Sequence, residues 1–252
     1  MAAFDGKAVL IVGGGGAMGR ATAVKLAEAG ASIIVADINL EQAIITAEQV
    51  RKFGGEAIVS RMDMSKEGDV EASVALAVSQ YGRLDGAANI AGATPTGKAL
   101  HEMTLEEFNA CASLILNGAF FCIKHQARAM LSTGGGSIVM ISSVAAIKSF
   151  PRHAEYSGAK AGVLGMVRGA AHDYGELGIR VNAILPGPID TPSIRKALAK
   201  NPEIETYISR QPLVRRLGQA DEVANGIRWL LSDEAAFVTG MSIPIDGGQS
   251  VG

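Results

Sequence analysis

At 252 residues, with 48% hydrophobic side chains and no Pro/Gly/Ser-rich linker, the chain reads as one large domain, residues 1–252, with an ample core. A formal net charge of −2 lacks the basic excess of a nucleic-acid binder or of a protein that docks on acidic membranes, so neither partner is expected. No apolar run approaches the roughly 20 residues of a membrane span and the N-terminus lacks a signal-peptide pattern, so a cytoplasmic location is expected.

Ala8-Val9-Leu10-Ile11-Val12 reads as a short apolar strand, followed by Gly13-Gly14-Gly15-Gly16-Ala17-Met18-Gly19 and an Ala-rich helix to about Ala29. A glycine turn between strand and helix lets backbone N–H groups approach a pyrophosphate at the positive end of the helix; the alternative is a flexible loop. Ser32 to Ala36 is a second strand ending at Asp37, eighteen residues past Gly19, near the spacing of an acid that accepts both ribose hydroxyls of a dinucleotide. A carboxylate there repels a 2′-phosphate, and the turn holds no Lys or Arg before Arg20, so NAD is expected over NADP.

Helical patterns at Leu40 to Phe53 and Val70 to Tyr81 flank a third strand, Ala57 to Arg61, followed by Asp63, which either meets an adenine or is a plain loop residue. A fourth strand, Leu84 to Ala88, leads into Asn89-Ile90-Ala91-Gly92. Strict alternation of strands and helices predicts an α/β fold: a Rossmann-type, doubly wound, mainly parallel seven-stranded sheet with helices on both faces. Thr104 and Glu107 form a capping box that opens a long helix to about Leu131. Cys111 and Cys122 share that helix about three turns apart, too far to bridge there. Asn117, in its middle, either serves a polar role near Lys160 or lies at an exposed position.

Ser137 to Ser143 reads as a buried strand that delivers Ser143 to the C-terminal end of the sheet, where ligands sit in such folds. Tyr156 and Lys160, four apart on the next helix, share one face. An ammonium one turn away favours the phenolate, so the pair predicts a general acid or base at Tyr156, with the Ser143 hydroxyl fixing the reacting oxygen. Arg180 to Ile184 is a sixth strand, followed by a stiff turn from Pro186 to Thr191. Ser193 to Gln211 is polar and long for a connection, which predicts a substrate lid over about residues 190–212 or an ordinary surface helix. Asp221 to Leu231 is a last helix and Met241 to Ile245 a last strand, and no metal site is expected.

With the glycine turn, Asp37, Asp63, Asn89-Ile90-Ala91-Gly92, Asn117, Ser143, Tyr156-x3-Lys160 and Pro186-Gly187 through Thr191 in this order, the sequence resembles the short-chain dehydrogenase/reductase family over its whole length. The resemblance implies an oxidoreductase that interconverts a secondary alcohol and a ketone with NAD. It implies Tyr156 as acid/base and Ser143 as the group that positions the substrate oxygen. Ser142 competes for that role, and Ser143 is chosen because the family's serine lies thirteen residues before its tyrosine. Lys160 would lower the Tyr156 pKa and hold the nicotinamide ribose, and Asn117 would order a water that relays the proton. The cofactor would lie on Gly13, Gly15, Gly16, Ala17, Met18 and Gly19, on Asp37 with Ile38, and on Asp63 with Met64 at the adenine. Asn89, Ala91 and Gly92 would line the adenosine ribose, Tyr156, Lys160, Pro186 and Gly187 would contact the cofactor, and Ile189 and Thr191 would bind the carboxamide.

This chain departs from the family at Val12, where Thr is usual, at Ala17, where the middle glycine gains a methyl that crowds the pyrophosphate, and at Asn-Ile-Ala-Gly in place of Asn-Asn-Ala-Gly. Thr133-Gly134-Gly135-Gly136 replaces the basic residues of carrier-protein-linked ketoacyl reductases and argues against that role. Arg152, His153 and Glu155 precede Tyr156 on a loop expected to face the substrate; Arg152 and Arg195 either clamp an anionic substrate or are solvated surface arginines. The alternative function is a non-catalytic nucleotide-binding regulator of the same fold. Family habit also implies a homo-oligomer, a tetramer or a dimer, joined through the long helices around Asn117 and after Tyr156.

Overall fold

The computed structural model describes residues 3–199 and 208–252. Seven strands form one sheet: β1 (Ala8–Val12), β2 (Ser32–Asp37), β3 (Glu56–Arg61), β4 (Gly86–Asn89), β5 (Gly136–Ile141), β6 (Ile179–Pro186) and β7 (Ser242–Ile245). Their order is β3-β2-β1-β4-β5-β6-β7, and every neighbouring pair is parallel. The chain winds outward from β1 to β3, then returns to lay β4 on the other side of β1. The order therefore reverses between β1 and β4, and the crevice at their C-terminal ends is where such sheets bind ligands.

The helices are α1 (Ala17–Glu28), α2 (Leu40–Lys52), α3 (Glu67–Tyr81), α4 (Leu105–Ala112), α5 (Gly118–Thr133), α6 (Ala154–Tyr174), α7 (Pro192–Leu198) and α8 (Ala220–Leu231). The alternation of side chains along β1 explains both layers. Ala8, Leu10 and Val12 enter one core with buried residues of α3, α5 and α6, such as Val74, Met130 and Val163. Val9 and Ile11 enter a second with Leu26 of α1, Val50 of α2 and Ile227 of α8. Burial on both faces is why the strands read as unbroken apolar runs.

Among the differences from the sequence reading, three bear on the site. β4 starts at Gly86 rather than Leu84 because the Asp85 carboxylate takes the Ala8 N–H at 2.9 Å, in place of a strand partner. The helix opened by the Thr104–Glu107 capping box is not uniform: Ser113–Asn117 forms a widened, π-type turn between α4 and α5. The expected lid holds α7, whereas its residues 200–207 lie outside the described residues.

A cavity of about 270 Å³ opens at the opposite, N-terminal end of the sheet, among Lys7, Arg83, Asp85, Arg180 and Asp233. Its charges are spent internally: Lys7 pairs with Asp233, Arg83 with Asp85, and Arg180 donates to the Ser232 and Val238 carbonyls. That end stitches the sheet together, and Ser143, Tyr156 and Lys160 lie at the other.

Candidate active site

The glycine turn is held by the sheet on either side of it. The N–H groups of Gly13 and Gly14 donate to the Ala36 carbonyl of β2. Gly13 has φ +80°, and a Cβ there would stand 2.6 Å from the Ala91 nitrogen, so only glycine fits. A Cβ at Gly19 would overlap the Gly13 carbonyl oxygen and stand 2.7 Å from the Gly14 Cα. This closeness brings the start of α1 against the turn. Gly16 caps α1 with no side-chain acceptor, and the first turn carries no acid. Unpaired N–H groups at the positive end of a helix, reached over backbone without side chains, suit a pyrophosphate. Ala17 takes the first helical position, and its methyl is partly exposed.

At the end of β2, Asp37 Oδ2 accepts the Gly15 N–H at 2.9 Å and Oδ1 accepts the Asn39 N–H at 2.9 Å, so the carboxylate is fixed at the rim of the turn. Ile38 beside it is exposed. Arg20 is committed to the scaffold, donating to the Gly15 carbonyl at 3.1 Å, to Gln42 at 3.0 Å and to Thr46 at 3.3 Å. Asp63 Oδ1 accepts both the N–H and the hydroxyl of Ser65, and that hydroxyl above all holds its pKa below the ordinary value.

Several residues expected to face a cofactor are turned to structural use. Asn89 and Gln126 of α5 exchange amide hydrogen bonds of 2.9 and 2.7 Å in the core, so the Asn89 side chain is not available to a ribose. The polar Gln126 amid apolar residues of α5 was the sequence signal for this pair. Met64 is buried where a Cβ at Gly118 would meet its Cε at 2.6 Å. Ile189 is buried in the second core and bridges Gly218 through its backbone. Thr191 accepts the Ile194 N–H, capping α7. The Gly187 N–H donates to the Ile245 carbonyl at 3.1 Å, behind Pro186. At these positions a ligand would meet backbone rather than the side chains of Asn89, Met64 and Ile189.

Ser143, Tyr156 and Lys160 converge beyond the end of β5. The two serines separate cleanly. Ser142 is buried and its hydroxyl donates to the Lys160 carbonyl at 2.9 Å, tying β5 to α6. Ser143 caps a short turn, its hydroxyl accepting the Ala145 N–H at 3.1 Å, and it lies near enough to the Tyr156 phenol to draw that group's pKa downward. Ser143→Ala is therefore expected to lower kcat/KM at least about a hundredfold with little change in Tm, as loss of a donor to the reacting oxygen does. Ser142→Ala should instead lower Tm; equal kinetic losses in both variants would contradict the distinction.

The electrostatics correct one expectation. Lys160 Nζ stands 5.7 Å from the Tyr156 ring centroid and donates to the Ile141 carbonyl at 2.7 Å. Burial raises the Tyr156 pKa above the ordinary phenol value, with the nearby Ser143 hydroxyl opposing it. Burial also pushes Lys160 down to about 8. Desolvation sets the direction of both shifts, in place of the attraction that the helical spacing alone suggests. Asn117 ends the widened turn with an exposed side chain, and no hydrogen bond joins it to Lys160 among the described residues.

Of the two readings of Arg152 and Arg195, the structure favours surface residues over a clamp. Arg195 makes a two-point pair with Asp190, both bonds at 2.6 Å. Arg152 reaches the Gly97 carbonyl at 3.4 Å and Glu102 at 3.8 Å. Each is neutralised by the protein itself. Glu155, expected on a loop, is buried in the first turn of α6. Cys111 and Cys122 are buried free thiols whose pKa values burial raises.

A model described as enoyl-(acyl carrier protein) reductase matches residues 15–250. A 2,5-dichloro-2,5-cyclohexadiene-1,4-diol dehydrogenase of Sphingobium indicum is 41% identical over 251 residues, 98% of either chain. The chain belongs to the short-chain dehydrogenase/reductase family. Cyclohexanol dehydrogenase of an Acinetobacter species is 37% identical over 97% of this chain and 95% of that one. A solved 7α-hydroxysteroid dehydrogenase, in complex with NADH and 7-oxo glycochenodeoxycholic acid, superposes with a TM-score of 0.92 at 34% identity, covering 97% of this chain and 94% of that one. As a short-chain dehydrogenase/reductase, the protein is an oxidoreductase acting on CH–OH donors, in a family whose members bind nicotinamide cofactors.

Proposed function

We propose that the protein is an NAD-dependent dehydrogenase that interconverts a secondary alcohol on a carbocyclic ring and the corresponding ketone. The observation that carries this reading is the meeting of Ser143, Tyr156 and Lys160 at the sheet's C-terminal edge, beside a glycine turn that leads into an uncapped helix. Nicotinamide, when bound, supplies the hydride acceptor that no side chain provides.

The chain's residues supply the rest. The Ser143 hydroxyl fixes the substrate oxygen, and Tyr156 takes the alcohol proton at its phenol oxygen during oxidation or returns it during reduction. Lys160, whose ammonium lies beside the phenol, would hold the nicotinamide ribose and would stabilise negative charge at the phenol oxygen once the proton leaves. Asn117, exposed at the widened turn, orders the water that passes the proton to solvent. Burial around Tyr156 keeps the phenol protonated near neutrality, so reduction proceeds readily there and oxidation gains as pH rises. The ring preference rests on the cyclohexadiene diol, cyclohexanol and steroid named for the relatives.

NAD preference rests on Asp37, fixed at the rim of the turn, and on Arg20, whose guanidinium is committed elsewhere. Asp37→Ser is expected to shift the ratio of kcat/KM for NADP over NAD upward by at least about tenfold, since a repelling charge is removed. Wild-type preference for NADP, or an unchanged ratio in the variant, would contradict it. Segment 190–212 serves as the substrate lid, with residues 200–207 outside the described part. A second copy of the chain covers the exposed Leu105 and Phe108 of α4 and Phe120 and Leu131 of α5, giving a dimer or tetramer. Two free thiols suit a cytoplasmic setting.

A further inference from the structure

The segment just before Tyr156 is fastened to the loop that follows β4. Glu155 is 3% exposed, and its Oε1 accepts the Thr96 N–H at 2.7 Å and the Thr96 hydroxyl at 2.9 Å. Arg152, held at φ +60°, adds its bond to Gly97 and its pair with Glu102. Upstream in the same loop, a Cβ at Gly92 would stand 3.3 Å from Lys160 Nζ. The loop from Gly92 to Glu102 therefore runs from beside the buried ammonium to the start of α6, where Glu155 and Arg152 hold it.

One feature sets Glu155 apart from an ordinary structural anchor. Its Oε2 is buried and has no hydrogen-bond partner. Burial raises the carboxyl's pKa, and the Thr96 N–H and hydroxyl, together with N–H groups of Glu155 and Tyr156, outweigh it, so the group is an ionised carboxylate. The unpartnered Oε2 carries a desolvation cost, which the bonds to the carboxylate more than offset. Thr96 is exposed, so water would satisfy its two donors if the carboxylate were gone. The carboxylate therefore holds one loop in place through the two bonds to Thr96.

We propose that Glu155 is a positioning residue for substrate selection: its carboxylate fastens Thr96, and with it the loop of residues 92–102, to the helix that carries Tyr156, fixing one wall of the substrate pocket. This rests on the dehydrogenase reading. Glu155 touches no reacting atom; it sets the distance between that wall and the phenol and so the size of ring alcohol that fits.

The test compares Glu155→Leu, Glu155→Gln, Thr96→Val and the double variant Glu155→Leu/Thr96→Val. Glu155→Leu is expected to raise KM for a good ring alcohol about tenfold while kcat stays within about threefold, the pattern of lost positioning rather than lost chemistry. Its selectivity between small and bulky ring alcohols narrows, and any fall in Tm is too small to account for the change in KM. Glu155→Gln, which keeps an acceptor for Thr96, should restore KM to within about threefold. Thr96→Val keeps the N–H bond to the carboxylate and loses only the hydroxyl one, so its KM should rise by less than that of Glu155→Leu, and the double variant should equal Glu155→Leu. Unchanged KM and selectivity in Glu155→Leu, or a fall in Tm that accounts for the lost activity, would overturn the proposal.

Hydrogen exchange gives a readout independent of turnover. The Thr96 amide should exchange at least about tenfold faster in Glu155→Leu. Equal exchange would overturn the proposal even if no substrate were known, whereas a wild-type protein without alcohol turnover but with a protected Thr96 amide would fault the dehydrogenase reading alone.

Discussion

Tyr156→Phe is expected to lower kcat by about a thousandfold, within the range for a lost general acid or base, and to leave NADH affinity nearly unchanged. The substitution removes one oxygen from a side chain packed against the core of α3, α5 and α6, so the fold has little reason to move. A second signature separates chemistry from packing. Burial raises the Tyr156 pKa, so the phenolate needed for oxidation grows as pH increases, and the wild-type oxidation rate should climb with pH. That climb should vanish in the Phe variant, since no titrating phenol remains. Oxidation as fast as wild type, or with the same pH dependence, would remove Tyr156 from the mechanism.

Gly19→Ala is the second large effect. The added Cβ would overlap the Gly13 carbonyl oxygen, a backbone atom that no rotamer change can move. The turn must open, separating the N-terminus of α1 from Gly13 and Gly14, the frame on which a pyrophosphate would rest. NADH affinity should fall at least about a hundredfold, near 2.7 kcal/mol of binding, with a lower Tm. Gly16→Ala is the control: its Cβ would stand 3.5 Å from the Gly13 carbonyl oxygen, ordinary contact, so the fold stays intact. Affinity lost there would report close approach of the ligand itself. Unchanged affinity and Tm in Gly19→Ala would contradict the geometry of the turn.

The strands, the glycine turn and the order of the reactive residues were legible because each leaves a local mark. A parallel strand covered on both faces must be apolar along its length, as Ala8–Val12 is, and a turn under a helix must be glycine where backbone meets backbone. What was not legible depends on distant parts of the chain. The Asn89–Gln126 amide pair joins residues 37 apart, and Glu155 reaches Thr96 across 59. The Tyr156 pKa follows from collective burial, which a helical spacing of Tyr and Lys does not encode. The widened turn at Ser113–Asn117 changes hydrogen-bond register without altering the apolar pattern, so it left Asn117 looking like a mid-helix residue. The Arg195–Asp190 pair turned a candidate anion clamp into a neutral surface link, and the sequence offered that pairing no preference over solvent.

The most direct test of the whole account is the initial rate of NAD reduction by cyclohexanol and a series of larger cyclic secondary alcohols, with NADP in parallel and NADH binding followed by fluorescence on the same preparation. The account predicts saturable NADH formation with at least one ring alcohol, faster with NAD than with NADP. A protein that binds NADH tightly yet reduces neither cofactor with any alcohol in the series would contradict it.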